Sequence, residues 1–131
     1  MPVEPASSFA LAFRQAGHEL HADVTGRIDD VASLLGMFRR LMEEARHTRA
    51  NRILLVDHTH GAVPPEQELR ELAASLGGLG FDAIRLAYVD ARGTAVSRME
   101  LGEIVGREHG FDVRVFDNES RARIWLHYGA A

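Results

Sequence analysis

Arg52-Ile53-Leu54-Leu55-Val56-Asp57 (RILLVD) decides the fold. Its four central residues are all apolar, with no polar alternation. A strand with one wet face alternates polar and apolar side chains, so an unbroken run needs cover on both faces. The run is also too short for a buried helix, which takes at least about ten residues. It therefore reads as the central strand of a layered α/β sheet. Open sheets of this kind place sites beyond the carboxyl ends of their strands. Asp57-His58-Thr59-His60 follows at that position.

Outward from this run, helical and strand patterns alternate. On the N-terminal side, Phe9–Arg14 and His18–Thr25 flank Gln15-Ala16-Gly17, which suits a hairpin. In the second of these, Glu19, His21 and Asp23 alternate with Leu20, Ala22 and Val24, so one face is buried and the other is wet or covered by polar contacts. Asp29 or Asp30 then caps a helix from about Val31 to Arg49, with Val31, Leu34, Leu35, Phe38, Leu41, Met42 and Ala45 on its apolar face. On the C-terminal side, Pro64-Pro65 and the acidic Glu66 and Glu68 start a helix. Leu69, Leu72, Ala73 and Leu76 line that helix, and Gly77-Gly78 ends it. A second buried strand spans Ala83–Asp90. A helix from a Thr94 cap to His109 presents Val96, Met99, Leu101, Ile104 and Val105 mostly inward. A last strand, Phe111–Phe116, precedes a terminal helix with Ala122, Trp125 and Leu126 packed. The order ββαβαβαβα predicts one α/β domain over residues 1–131, a mixed sheet of about five strands with about four helices. Residues 1–8 are expected to be loose.

Composition narrows the function. The chain has 131 residues, a net charge of −4 and no cysteine. Cysteine-based metal sites, thiolate catalysis and disulfides are excluded. All 15 cationic side chains are arginine. Without lysine there is no Schiff-base chemistry and no P-loop. The acidic balance argues against a nucleic-acid partner. No run of about 18 apolar residues predicts a membrane span. The N-terminus has neither a basic start nor an apolar core, so the cytoplasm is the expected compartment. No cofactor is expected.

The stretches RILLVDHTHG, PPEQELRELAASLGGLGFDAIRLAYV and SRMELGEIVGREHGFDVRVFDNESRARIWL resemble the bacterial SpoIIAA-like proteins, which have the fold of the STAS domain (sulphate transporter and anti-sigma-factor antagonist). The resemblance covers about residues 9–128, and Val115-Phe116-Asp117-Asn118-Glu119 followed by Ala122 and Trp125-Leu126 is its most distinctive part. It implies a mixed sheet backed by helices and a non-catalytic regulatory or protein-interaction module. In the anti-sigma-factor antagonists a serine or threonine after the central strand is reversibly phosphorylated. Here only Thr59 offers a hydroxyl, and Ala62-Val63-Pro64-Pro65 intervenes before the helix.

The candidate binding residues are thus Asp57, His58, Thr59, His60 and Asp90, with Thr59 the possible phosphoacceptor and no catalytic residue assigned. Three roles remain open for them. They belong to a docking surface for a protein partner, made of the Asp57–Pro65 connection and the start of the following helix and flanked by the Asp90–Thr94 turn. They border a small-ligand site, since the fold also resembles the CRAL-TRIO lipid-binding domains; spare apolar volume between helices and sheet would mark that case. Or Asp57, His58 and His60 hold a metal in an enzyme, because two imidazoles two residues apart share one side of an extended segment. A homodimer through the Phe9–Arg14 edge is a further expectation.

Overall fold

The computed structural model describes residues 8–62, 64–92 and 96–128, and for residues 96–99 the backbone alone. The strands are β1 (Phe9–Ala16), β2 (Glu19–Gly26), β3 (Arg52–Asp57), β4 (Arg85–Asp90) and β5 (Asp112–Phe116). The helices are α1 (Val31–Thr48), α2 (Glu66–Gly77), α3 (Val96–Glu108) and α4 (Glu119–Tyr128), with a single 3-10 turn at Phe81–Ala83. The strands lie in the order β1-β2-β3-β4-β5. The β1–β2 pair is antiparallel and the other three pairs are parallel. This is the mixed five-strand sheet with four helices that the alternation of patterns predicts.

β3 is the middle strand, and Ile53, Leu54 and Leu55 are completely buried. The apolar run has the cover on both faces that it requires. Each parallel crossover advances by one strand in the same direction. Right-handed crossovers of that kind deliver their helices to one face, and α1 packs on α2, which packs on α3. Among the described residues, α4 alone covers the other face, over β3, β4 and β5. The core is split accordingly. Leu20, Ile53, Leu55 and Leu86 meet α1 and α2, whereas Leu54, Val56, Ala87 and Val89 meet Ala122, Trp125 and Leu126 of α4.

Local chemistry sets several boundaries. Asp30 caps α1: its Oδ1 accepts the Ser33 amide at 2.7 Å, and that bond holds its carboxyl below the usual range. α1 ends on Arg49, a non-glycine residue in the left-handed region (φ 57°), with the Ala50 amide reaching back to the Ala45 carbonyl at 2.8 Å. The hairpin pairs Ala16 with Glu19, so its loop is Gly17-His18 rather than Gln15-Ala16-Gly17. Gly17 alone has positive φ there, the type II′ pattern that suits twisted strands.

Other expectations need correction. β4 begins at Arg85, not Ala83, because the chain turns through Phe81–Ala83 first and so buries Phe81 against Phe38. Ile104 is 53% exposed. It lies on the outer side of α3, while Val105 is buried. On α1 the completely buried Met37 joins the apolar face. The Thr94 cap and the side chains of Val96 and Met99 lie outside the described residues.

Candidate ligand-binding site

The carboxyl ends of β3 and β4 lie in register, with Asp57 opposite Asp90. Side chains alternate across a strand. The alternation that sends Leu55 and Leu86 into the α1–α2 core therefore sends Asp57, Tyr88 and Asp90 to the same face. There they border a cavity of about 310 Å³ between the sheet and α1, α2 and α3. Its body is apolar, with Phe38 of α1, Leu69, Leu72, Ala73 and Leu76 of α2, and Phe81, Leu86, Val113 and Val115. At its mouth stand Asp57, Thr59, His60, Tyr88, Asp90 and Arg92.

Asp57 organises the mouth. Its Oδ1 accepts the Thr59 amide at 2.8 Å and the Thr59 hydroxyl at 2.6 Å. Its Oδ2 accepts the Tyr88 hydroxyl. Tyr88 is buried, and its phenol is pushed well above the usual value: burial contributes most, followed by the Asp57 charge, the hydrogen bond to Asp57 and the Asp90 charge. Asp90 is only 5% exposed, and its Oδ1 accepts the Arg92 amide at 3.2 Å. The Arg92 guanidinium donates to the His58 carbonyl at 3.3 Å and contacts the His60 ring.

The segment beyond β3 is pinned by main-chain bonds. The His58 amide donates to the Val24 carbonyl and the His60 amide to the Gly26 carbonyl, each at 2.9 Å. The Ile28 amide donates to the His60 carbonyl, also at 2.9 Å. At Gly61 (φ +125°) a Cβ would lie 1.9 Å from the Ile28 carbonyl oxygen, so only glycine lets the two chains pass.

Of the five residues singled out in the sequence, Asp57, Thr59, His60 and Asp90 meet at this mouth. His58 does not. Its Nε2 lies 3.0 Å from Asp23 Oδ1, beyond the β2 side of the mouth. The two imidazoles therefore have different partners. The Asp57–Thr59 turn breaks the extended geometry that would have aligned them. Among the described residues, no three His, Asp or Glu side chains converge as a metal site. The Thr59 hydroxyl is half-buried and spends its hydrogen on Asp57. A phosphate there would face the Asp57 and Asp90 charges at close range. Sequence reasoning missed Tyr88; it named Arg92 only as part of the flanking Asp90–Thr94 turn, and the spare apolar volume only as what would mark a ligand site. Tyr88 had a signal: it lies two residues before Asp90 and so shares its face.

A second polar cluster lies on the α4 face, away from the cavity. His21 Nε2 lies 2.7 Å from Glu19 Oε2, and both residues are buried. Arg14 and Arg123 each place Nη2 near His21 Nδ1, at 3.2 and 3.4 Å. His127 Nε2 of α4 stands 3.0 Å from Glu19 Oε1, without hydrogen-bond geometry. This cluster ties α4 to the β1–β2 hairpin.

Compared with known proteins, the chain matches no protein-family model, and no curated protein matches it at a significant level.

Proposed function

We propose that this chain is a non-catalytic binding module of the SpoIIAA-like, STAS type whose cavity takes a small apolar ligand. The cavity under α1, α2 and α3 carries the proposal, because close-packed interiors leave few voids larger than a water molecule. Its volume of about 310 Å³ falls at the low end for small-molecule sites. Its composition fits as well: an apolar body with a few polar groups gathered at one end is the usual make-up of such sites. The five-strand mixed sheet with helices on both faces is compatible with the SpoIIAA-like resemblance. A regulatory role follows from the same place. Thr59, His60, Gly61, Ala62, Pro64 and Arg92 border the cavity, and most of them also face solvent. A protein partner docking on that rim would read whether the cavity is filled.

The test is titration with N-phenylnaphthylamine, a neutral dye that brightens in apolar surroundings. Wild-type protein should bind it saturably. Ala73→Leu, which fills the cavity from α2, should abolish the signal without unfolding the protein. A flat titration of the folded wild type, or equal dye binding by Ala73→Leu, would sink the ligand reading.

A further inference from the structure

The two described hydroxyls at the mouth have their hydrogens already spoken for. Asp57 is a carboxylate and only accepts. The Tyr88 and Thr59 hydroxyls both point their hydrogens at it, so each has only lone pairs left to offer. Asp90, buried opposite Asp57 in the sheet, adds a second negative charge. The donor side chains that remain at the mouth among the described residues, Arg92 and His60, are exposed and touch each other. Among the described lining residues, the carboxylates of Asp57, Asp90 and Glu103 stand against one guanidinium, that of Arg92; Asp112, paired with Arg85 at 2.9 Å, adds no net charge there. The Tyr88 phenol already registers the local negative field, since both aspartates help to keep it protonated.

A ligand that fills this cavity must therefore bring its own donors. A carboxylate head would meet lone pairs and like charge. A hydroxyl would supply one hydrogen and no charge. An ammonium supplies three hydrogens and the complementary charge. The mouth is also partly open to solvent, so the ammonium keeps some of its water and avoids the full cost of charge burial. We infer that the ligand is a small amphipathic amine, with its apolar body among Phe38, Leu72, Ala73 and Phe81 and its protonated amino group held by Asp57, Tyr88 and Asp90. This inference rests on the ligand-binding reading above and specifies the head group that the site selects.

The experiment is displacement of bound N-phenylnaphthylamine by three compounds with the same chain, octylamine, octanol and octanoate, each below its micelle concentration at pH 7. Octylamine should displace the dye at the lowest concentration, with octanol about tenfold weaker, as a lost charge-assisted hydrogen bond predicts, and octanoate weaker still. Asp90→Asn, nearly the same shape without the charge, should shrink the gap between octylamine and octanol, a ratio read on the same protein and so independent of how tightly that variant holds the dye. Octanol equal to octylamine in the wild type would overturn the ammonium assignment. So would octanoate as the best competitor, or dye binding that none of the three displaces. In each of these cases the cavity still binds the dye, so ligand binding stands and only the head group is wrong. Failure of the dye itself to bind overturns both.

Discussion

The two faces of the sheet solve the same problem in opposite ways. Both bury titratable groups beside an apolar core. On the α4 face, Glu19, His21, Arg14, Arg123 and His127 contact one another, and Ala122, Trp125 and Leu126 press directly onto β3 and β4. On the α1–α3 face, Asp57, Tyr88 and Asp90 look onto space. A polar cluster with a helix pressed onto it holds structure together. One that borders an apolar cavity has something to bind. Neither the number of charges nor their burial separates the two cases; the space beside them does.

Substitutions that treat the faces unequally test this contrast. The largest effect is expected at Trp125, which is 4% exposed, lies 5.8 Å from the Phe116 ring and carries the Arg85 guanidinium 5.0 Å above it. Trp125→Ala should cost about 3–5 kcal/mol. Urea unfolding followed by circular dichroism would measure it, because Trp125 is the only tryptophan. Leu72→Ala, on the cavity side, should cost only about 2 kcal/mol, the low end for such truncations, since one flank of Leu72 already lacks packing partners. Equal costs for two leucines, Leu72 and the completely buried Leu126 of α4, would remove the contrast in packing.

Glu19→Gln should cost about 1–2 kcal/mol by leaving His21 without its charged partner. The same change at Asp90 should cost less, because Asp90 stands at the cavity mouth. Tyr88→Phe probes the mouth through pH. The folded state raises the Tyr88 pKa above its ordinary value of 10.0, so the unfolded chain releases this proton first. The stabilisation is complete below about pH 10 and declines as pH rises further. With no lysine or cysteine present and only two tyrosines, few other groups titrate in that range. Tyr88→Phe should therefore flatten the alkaline limb of a Tm-against-pH profile, and an unchanged limb would refute the coupling. The smallest effect is expected at a position in neither core. Arg49→Gly relieves a left-handed residue and should raise stability by up to about 1 kcal/mol.

Much of the architecture was legible because it depends on periodicity. RILLVD announced a strand covered on both faces, and the stripes on α1, α2 and α4 announced which residues would meet the sheet. Alternation in β2 correctly split Leu20, Ala22 and Val24 from Glu19, His21 and Asp23, but not their fates: Glu19 and His21 are buried while Asp23 is exposed, because His127 and Arg123 arrive from a helix about a hundred residues away. The strand-end residues were legible for a similar reason. Asp57 and Asp90 each close an apolar run, and parallel pairing in register places them side by side. The separation of His58 from His60 was not legible, because it depends on a turn that Asp57 forms with Thr59. The cavity was beyond reach of any pattern. Its volume is what remains after side chains from three helices and three strands have been fitted together, and an apolar stripe looks the same whether it packs tightly or leaves a gap.

The succession of elements also bears on how the chain becomes folded. α1, α2 and α3 each sit between the strands they connect, so each β-α unit carries its own cover as it leaves the ribosome. α4 follows every strand. Until it emerges, Leu54, Val56, Ala87 and Val89 stay bare on a sheet that is otherwise complete, and such exposed apolar surface is where nascent chains associate wrongly or recruit chaperones.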